Sequence, residues 1–256
     1  MDTFRRRYAV KIMGLTHSPK IVTNGLVMLV DPNHPRCWDG SSSTITDLAS
    51  GLSFTKGSNT TAGYYNGQRV FGTTANSGTI DTGYRYGSLS NGDKVVDSAG
   101  SWTISGWMYK NENVPNNWWH VFTDGSSGDI LTVYNTDGTF RTSMNGSYNG
   151  TFSTGGNVTD YGVDWDELES GWVNVVLVYN QASSYLQLFV NNQAQSQQTG
   201  RVINSDYKLR NFYGWGSANG SYHTDADNSH TAVYNKVLTT EEIAQNYNAL
   251  KSRFGL

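Results

Sequence analysis

The strongest constraint on the fold comes from two apolar segments that are separated by only four residues. WVNVVLVYN (Trp172–Asn180) is rich in β-branched and aromatic residues, and YLQLFVNN (Tyr185–Asn192) places apolar side chains at alternate positions. Segments of this kind form strands, and the intervening QASS is long enough only for a turn, so we expect an antiparallel hairpin in the middle of a sheet. Asn191 and Asn192 tolerate positive φ, which favours a tight turn into a further strand.

The rest of the chain repeats this pattern of short strands and turns. WTISGWMYK (Trp102–Lys110) predicts a strand with one face toward a core and a mixed second face. IVTNGLVMLVD (Ile21–Asp31) has apolar residues on both faces and predicts a strand between two layers. Asp-Gly pairs between strand-like segments indicate a meander. Further strands are expected at Arg69–Gly72, in two stretches of His120–Tyr134, in Thr136–Met144, at Leu209–Gly216 and at His230–Asn235.

The composition agrees with a single all-β sandwich domain formed by residues 21–256. Hydrophobic residues make up 37% of the chain and charged residues only 15%, while 28 glycines supply turns. The single cysteine, Cys37, allows no internal disulfide, and we expect a buried, inert thiol. No segment approaches the ~20 apolar residues of a membrane span. The N-terminus lacks the unbroken apolar stretch of a signal peptide, because Lys11 interrupts it.

The chain closes on EEIAQNYNALKSRFGL (Glu241–Leu256), which predicts one amphipathic helix over residues 240–254. Thr239 followed three residues later by Glu242 matches a capping box. Because an apolar stripe must be buried, we expect the helix to pack on an open end or edge of the sandwich. The stripe consists of residues spaced four, three and four apart: Ile243, Tyr247, Leu250 and Phe254.

Several of these segments, taken in order, carry a resemblance to a known family. Besides those quoted above, they are GLVMLVDPNHPRCW (Gly25–Trp38), ITDLASG (Ile45–Gly51) and AVYNKVLTTEEIAQNYNALKSRFGL (Ala232–Leu256). From residue 21 onward the chain resembles the laminin-G-like or concanavalin A-like module of structural proteins in tailed bacteriophages. The resemblance implies two antiparallel sheets stacked as a jelly roll. Lectins, glycosidases and inert assembly modules share that architecture, so it does not by itself assign a function.

Residues 1–20 lie outside this resemblance and are expected to form a basic arm. Residues 1–24 hold five basic residues against Asp2, a local charge of +4 that leaves −7 for the rest of the chain. Such an arm contacts an acidic neighbouring subunit or nucleic acid, or is a solvated terminus. Nucleic acid is disfavoured because no aromatic platforms accompany the cations. The cations assigned to partner binding are Arg5, Arg6, Arg7 and Lys11.

The acidic segment DWDELE (Asp164–Glu169) is the nearest match to the paired carboxylates of a glycosidase on this fold. It has Asp where the first Glu belongs and lies beside glycine, which indicates a solvated turn. The five histidines are scattered and lack the spacing of metal ligands. We therefore expect neither enzymatic activity nor an obligatory cofactor.

Two kinds of ligand remain open. Asp225, Asp227 and Asn228 offer oxygens for Ca²⁺ just before a strand, although Asp-Asn turns also occur without metal. Trp118 and Trp119 are adjacent, so on a strand they would point to opposite faces and leave one ring exposed. Aromatic residues near glycines or amides are settings in which a ring stacks on a sugar, although most tyrosines of a sandwich serve packing. The candidates for such stacking are Trp118, Trp119, Tyr213, Trp215 and the pair Tyr64 and Tyr65.

The function expected from these features is that of a non-enzymatic virion structural protein. In this interpretation the chain is a homo-oligomeric capsid decoration or tail-associated module, assembled in the host cytoplasm and exposed on the particle surface. The arm anchors it to capsid or tail subunits. The alternative is a carbohydrate-binding adhesin for glycans of the host surface. The first hypothesis predicts that attachment needs the arm, and the second predicts that binding needs an exposed aromatic residue.

Overall fold

The computed structural model describes residues 20–55, 60–73, 100–110, 118–123, 129–133, 139–143, 158–164, 168–200, 222–223 and 227–256. These residues include sixteen strands, one α-helix and a short 3-10 helix that follows it. The strands are β1 Leu26–Val30, β2 Thr44–Thr46, β3 Ser53–Thr55, β4 Thr60–Tyr65, β5 Gln68–Thr73, β6 Trp102–Lys110, β7 Trp118–Thr123, β8 Asp129–Val133, β9 Thr139–Ser143, β10 Val158–Asp164, β11 Gly171–Asn180, β12 Tyr185–Val190, β13 Gln193–Ala194, β14 Gln198–Thr199, β15 Tyr222–His223 and β16 Asp227–Tyr234. The helix α1 is Thr240–Leu250, and the 3-10 helix is Lys251–Phe254.

Nine strands form the main sheet, and all of its pairs are antiparallel. Its order is β13-β12-β11-β6-β16-β5-β4, with β1 also pairing with β16 and β14 with β12. The expected central hairpin is confirmed, since β11 and β12 pair from Val175↔Val190 to Asn180↔Tyr185. Asn191 and Asn192 adopt φ of 48° and 64°, so the tight turn into β13 is confirmed as well.

A second sheet has five strands in the order β10-β9-β8-β7-β15, and β2 pairs with β3 separately. The meander expected over His120–Tyr134 and Thr136–Met144 is confirmed, because β7, β8 and β9 pair antiparallel in succession. The contact between β15 and β7 is parallel. The strand expected at Leu209–Gly216 lies outside the described residues. With antiparallel sheets and one α-helix among the described residues, the all-β fold class is confirmed.

Both faces of the main sheet are buried at its centre, which corrects the prediction of a mixed outer face for β6. Trp102, Ile104 and Met108 point to one face, and Trp107 points to the other, yet all four side chains are buried. The prediction failed because Thr103 and Ser105 look polar in sequence. The hydroxyl of Thr103 donates to the carbonyl oxygen of Lys236 (2.9 Å) and accepts from the backbone N–H of Leu238 (3.0 Å), so its burial leaves no unpaired polar atom.

The helix α1 begins with the expected capping box. The hydroxyl of Thr239 accepts the backbone N–H of Glu242 (3.2 Å), and the Glu242 carboxylate accepts the backbone N–H of Thr239 (3.0 Å). Its position corrects the expectation of an open end or edge. Ile243 packs on the flat face made by Val176, Val178, Ala232 and Tyr234, and the second half of the stripe packs on Val70, Trp107 and Trp172. We call this face the helix side and the other face the opposite side.

The first described residues are fastened to α1. The backbone N–H of Val22 donates to Asn246 Oδ1 (2.7 Å), and Gln245 Nε2 donates to the carbonyl oxygen of Lys20 (2.7 Å). The hydroxyl of Tyr234 accepts from Asn246 Nδ2 and donates to the carbonyl oxygen of Val22, both at 3.1 Å. Lys20 and Val22 therefore lie on the helix side of the body. Within the described residues, no helix is long and apolar enough to cross a membrane.

Candidate functional site

The hairpin of β4 and β5 places its side chains alternately on the two sides of the main sheet. Tyr65 and Val70 lie on the helix side, where they join the aromatic cluster beneath Phe254. The intervening residues of each strand point to the opposite side, so Tyr64 and Arg69, which are direct cross-strand partners, stand next to each other there. A turn at Asn66 and Gly67, with φ of 45° and 78°, fixes this register.

On the opposite side, these two residues form a surface over the ring of Trp38, and we call this surface the Arg69 face. Tyr64 is 66% exposed, the highest exposure of any large apolar side chain in the described part of the chain. Trp38 is only 4% exposed and packs against Phe71 with ring centroids 5.0 Å apart. The guanidinium carbon of Arg69 lies 5.8 Å from the centroid of the Trp38 ring, within cation-π range.

The loop that follows Trp38 borders the Arg69 face. Trp38 Nε1 donates to the carbonyl oxygen of Ser42 (2.8 Å), which closes the loop over the buried ring. Gly40 has φ of +99°, a backbone conformation that favours glycine, and a Cβ there would lie only 3.3 Å from the guanidinium of Arg69. Asp39 Oδ1 accepts the backbone N–H groups of Ser41 (2.8 Å) and Ser42 (2.7 Å). The bonds from Ser42 and Ser41 hold the pKa of Asp39 below its ordinary value.

An asparagine side chain holds the backbone of Arg69 in place. Asn33 Oδ1 accepts the backbone N–H of Arg69 (2.7 Å), and Asn33 Nδ2 donates to the carbonyl oxygen of the same residue (3.1 Å). The hydroxyl of Ser229 donates to that carbonyl as well (2.9 Å). The amide of Asn33 thus pairs with β5 as a strand would, at a point beyond the end of β1.

Directly behind this surface, on the helix side, lies an ion pair. Arg253 binds Asp31 with two hydrogen bonds of 2.6 Å, and Arg253 Nε donates to Gln68 Oε1 (2.7 Å). Burial would raise the pKa of Asp31, but the hydrogen bond and charge of Arg253 and the charge of His230 outweigh it and lower that pKa. Burial lowers the pKa of His230 to about 4, so its ring is neutral at pH 7, and its buried Nδ1 has no hydrogen-bond partner among the described residues.

The aromatic rings on the helix side pack the core. Trp107 stacks on Phe254 (4.3 Å between centroids) and on Tyr247 (5.5 Å). Tyr109 stacks on Tyr65 (4.7 Å) and meets Trp172 edge to face (5.3 Å). Of the predicted pair Tyr64 and Tyr65, only Tyr64 is therefore available to a ligand.

The candidate ring pair Trp118 and Trp119 begins β7. Trp118 pairs with Tyr222, while Trp119 pairs with Val133 and His223, so both backbones lie inside the five-stranded sheet. The exposure of one of the two rings stays a prediction, because both side chains are outside the described residues. Several other predicted site residues also lie outside the described residues, and their roles stay predictions: Arg5, Arg6, Arg7, Lys11, Tyr213, Trp215 and Asp225.

The proposed calcium ligands do not all lie in a loop. Asp227 and Asn228 are the first residues of β16, so the strand begins earlier than the His230 expected from the sequence. Asn228 is buried and pairs with Met108 and Phe71 in the main sheet. Among the described residues, no three His, Cys, Asp or Glu side chains lie close enough to hold a metal ion.

The acidic segment considered for catalysis is split between a strand and a loop. Asp164 ends β10, and Glu169 is exposed before β11. Lys110 Nζ donates to the carbonyl oxygen of Leu168 (2.5 Å), which fixes the backbone of this loop.

The expected burial of Cys37 is confirmed, and burial raises the pKa of its thiol to about 12, so it is not a nucleophile at neutral pH.

Sequence reasoning named Tyr64 as a candidate for ligand stacking but did not name its neighbour Arg69. The signal available was an arginine on the strand opposite an exposed tyrosine, with Asn66-Gly67 between the two strands. That turn sets the register that makes Tyr64 and Arg69 neighbours. The contact between Trp38 and Arg69 could not be predicted from neighbouring residues, because 31 positions separate the two in the sequence.

Comparisons with known proteins agree with this architecture. The family model described as the concanavalin A-like lectin/glucanases superfamily matches residues 81–244. A sialidase of Trypanosoma rangeli has a similar fold, at 14% identity and a TM-score of 0.56 over 89% of this chain and 33% of the sialidase chain.

The structure named HCR/D is also similar, at 11% identity and a TM-score of 0.50 over 90% of this chain and 52% of the HCR/D chain. The chain thus spans about one third of the length of the sialidase and about half of HCR/D. No curated protein sequence matches it. Because the family model covers more than half of the residues, the chain belongs to the concanavalin A-like lectin/glucanases superfamily, in its laminin-G branch.

Proposed function

We propose that the protein is a non-enzymatic carbohydrate-binding module and that the Arg69 face is its binding surface. The observation that carries this proposal is the exposed ring of Tyr64 and the guanidinium of Arg69, which are cross-strand neighbours on one hairpin. A flat aromatic ring stacks on the apolar face of a sugar, and a guanidinium donates hydrogen bonds to its oxygens. Membership of a superfamily that includes lectins supports the same class of ligand.

The use of the buried carboxylates among the described residues supports binding rather than cleavage. In the described part of the chain, Asp31 and Asp47 are the acidic residues with buried side chains. Asp31 binds Arg253, and Asp47 accepts the backbone N–H groups of Leu29 (2.7 Å) and Ala49 (2.9 Å). Neither carboxylate is free to act as an acid or a nucleophile. The superfamily also contains glucanases, so an assay for release of reducing sugar is the direct check on this part of the proposal.

A glycan array with three proteins tests carbohydrate binding at this surface. The wild type should bind at least one glycan, and Tyr64→Ala should lose that binding because the stacking surface is removed. Leu256→Ala is the matched control, since Leu256 is also a large exposed apolar residue (51%) among those described and lies on the C-terminal tail. Failure of the wild type to bind any glycan would refute the proposal, as would full binding by Tyr64→Ala.

The virion role is a second candidate function, and the path of the chain favours it. Lys20 and Val22 are hydrogen-bonded to α1 on the helix side, away from the Arg69 face. An arm on that side would attach the module to capsid or tail subunits while the Arg69 face points outward. Repeated copies on a particle would also multiply weak sugar contacts.

Removal of residues 1–19 tests the virion role. The truncated protein should keep the fold, because Lys20 and the residues that contact α1 remain. It should no longer join particles when particles are purified after co-expression with the assembly proteins. Incorporation at the wild-type level would contradict the anchoring role of the arm without affecting carbohydrate binding.

A further inference from the structure

The guanidinium of Arg69 carries a charge that no residue of the described chain neutralises. Its contacts are the Trp38 ring at 5.8 Å and the backbone of Gly40. Neither the hydrogen bonds nor the ion pairs among the described residues use its side-chain N–H groups. Arg253, by contrast, is joined to Asp31, and Lys236 is joined to Glu242, each at 2.6 Å. Among the described residues, none takes up the five side-chain N–H donors of Arg69, which leaves them for another partner.

The nearest carboxylate along the bordering loop is already committed elsewhere. Asp39 accepts two backbone N–H groups of its own loop, and no ion pair joins it to Arg69. The backbone bonds that lower the pKa of Asp39 hold its Oδ1 toward Ser41 and Ser42. The loop thus provides contact with the guanidinium through Gly40 but leaves the positive charge without a counter-ion.

The backbone of Arg69 is held in place without a ligand, and its side chain lies against a ring. Asn33 pairs with both its backbone N–H and its carbonyl group, and Ser229 adds a second donor to that carbonyl. The ring of Trp38, itself held by Ser42 and Phe71, supports the side chain. Ordering a long side chain normally opposes binding, so an arginine that is held in advance binds a planar anion more tightly than a mobile one.

We propose that the Arg69 face takes an acidic saccharide, with its carboxylate or sulfate group on the guanidinium of Arg69 and its ring on Tyr64. This inference rests on the proposed carbohydrate binding and specifies the chemical class of the sugar. A guanidinium binds an oxyanion through two parallel hydrogen bonds, a geometry that neutral hydroxyls do not match. The cross-strand spacing of Tyr64 and Arg69 lets one sugar unit reach both residues.

Three polysaccharides of defined charge test the inference. Dextran is neutral, dextran sulfate carries sulfate on the same backbone, and alginate carries carboxylates. We expect the purified protein to bind at least one of the two acidic polymers in calorimetry at near-physiological salt, and to bind dextran at least about tenfold more weakly, as the loss of a charge-assisted hydrogen bond implies. The polymer that binds identifies whether a sulfate or a carboxylate is preferred.

Arg69→Gln should weaken binding of the acidic polymer at least about tenfold, because the paired donors are lost. Arg36→Gln is the matched control, since Arg36 is an exposed cation of the loop after β1 and the substitution changes the net charge equally. Arg69→Lys should restore only part of the affinity, because a point charge lacks the planar fork. Circular dichroism and thermal unfolding confirm that each variant is folded.

The outcomes separate this inference from the broader proposal. Equal weakening by Arg36→Gln and Arg69→Gln would mean non-specific attraction of a polyanion and would overturn it. Binding to dextran that needs Tyr64 but not Arg69 would also overturn it, while carbohydrate binding would stand. Absence of binding to both acidic polymers would overturn the inference, and absence of binding to any glycan on the array would overturn the proposed function too.

Discussion

Two arginines on opposite sides of the main sheet show how the same side chain serves stability in one place and recognition in another. Arg253 is paired with Asp31 through two short hydrogen bonds and with Gln68 through a third. Arg69 has a supporting ring and a fixed backbone but no anionic partner among the described residues. An arginine that is paired with a carboxylate, such as Arg253, stabilises the fold. An arginine without an anionic partner among the described residues, such as Arg69, is available to a ligand.

The aromatic rings around the two arginines also differ, because those near Arg253 are packed together and the one beside Arg69 is exposed. On the helix side, aromatic rings stack under Phe254 and Tyr247, and little of that surface is left for an outside molecule. On the opposite side, Tyr64 is the exposed ring among the residues that the structure describes, and its cross-strand neighbour is Arg69. We therefore expect substitutions on the helix side to change the free energy of unfolding and substitutions on the Arg69 face to change binding.

The largest effect on stability is expected for Phe254→Ala. The ring of Phe254 is buried against Trp107 and Trp172, so its loss should lower the free energy of unfolding by about 3–5 kcal/mol, as for other buried aromatic residues. Urea denaturation measures this change. Tyr64→Ala, which removes an exposed ring, should change stability by less than about 0.5 kcal/mol. Similar losses for both variants would break the proposed division between the two sides.

The next largest effect is a loss of stability in mild acid, caused by His230. Its pKa of about 4 in the folded protein lies below the ordinary 6.5, so between these values the unfolded chain binds a proton that the folded chain does not. Stability should therefore fall by about 3 kcal/mol as the pH decreases from 6.5 to 4. Asp31, whose pKa is lowered, adds a further loss only below its ordinary value of 3.8.

Thermal unfolding of the wild type and His230→Gln between pH 7 and 4 measures this effect. The variant should lack most of the pH dependence above pH 4, whatever its stability at pH 7. Asp31 and Arg253 are the charged groups that act on His230, and they partly oppose each other. A wild-type melting temperature that stays constant down to pH 4.5 would contradict the assignment of a neutral, buried ring.

A smaller effect is expected for Arg253→Met, which leaves Asp31 without its partner. The side chains of the pair are 25% and 12% exposed, so we expect a loss of about 2 kcal/mol rather than the larger cost of a fully buried pair. Lys236→Met, which breaks the more exposed pair with Glu242, should cost less than about 1 kcal/mol. Equal losses measured by urea denaturation would mean that the Arg253 pair has no special structural role.

The smallest effect on stability is expected for Arg69→Gln. The variant loses only a cation-π contact with Trp38, so the free energy of unfolding should fall by less than about 1 kcal/mol. The same variant is expected to show a large loss of binding, which gives the sharpest contrast with Arg253→Met. A loss of stability as large as that of Arg253→Met would mean that Arg69 has a structural partner.

Local sequence patterns predicted much of the fold. The hairpin of β11 and β12 followed from alternating apolar residues around a short turn, and the start of α1 followed from Thr239 and Glu242. These features depend on residues within a few positions of one another. The docking of α1 on the helix side did not follow, because it depends on strands β6, β11 and β16 that are distant along the chain.

The candidate site was only partly predictable for the same reason. Tyr64 stood out as an aromatic residue beside glycine, but its exposure and the burial of Tyr65 depend on which side of the sheet carries the helix. Trp38 and Arg69 come together only because the loop after β1 lies against the beginning of β5. A buried serine such as Ser229 also looks unremarkable in sequence until its hydrogen bond to Arg69 is known.

The amide of Asn33 makes the alignment of Arg69 sensitive to the chemical ageing of one residue. Its Nδ2 donates to the carbonyl oxygen of Arg69 and to Ser229 Oγ, while its Oδ1 accepts the Arg69 N–H. Hydrolysis of that amide to a carboxylic acid would replace the donor by an oxygen that faces a carbonyl oxygen, and the two would repel each other. A stored sample could thus lose ligand affinity through a mass change of one unit, with every residue of the binding surface itself still intact.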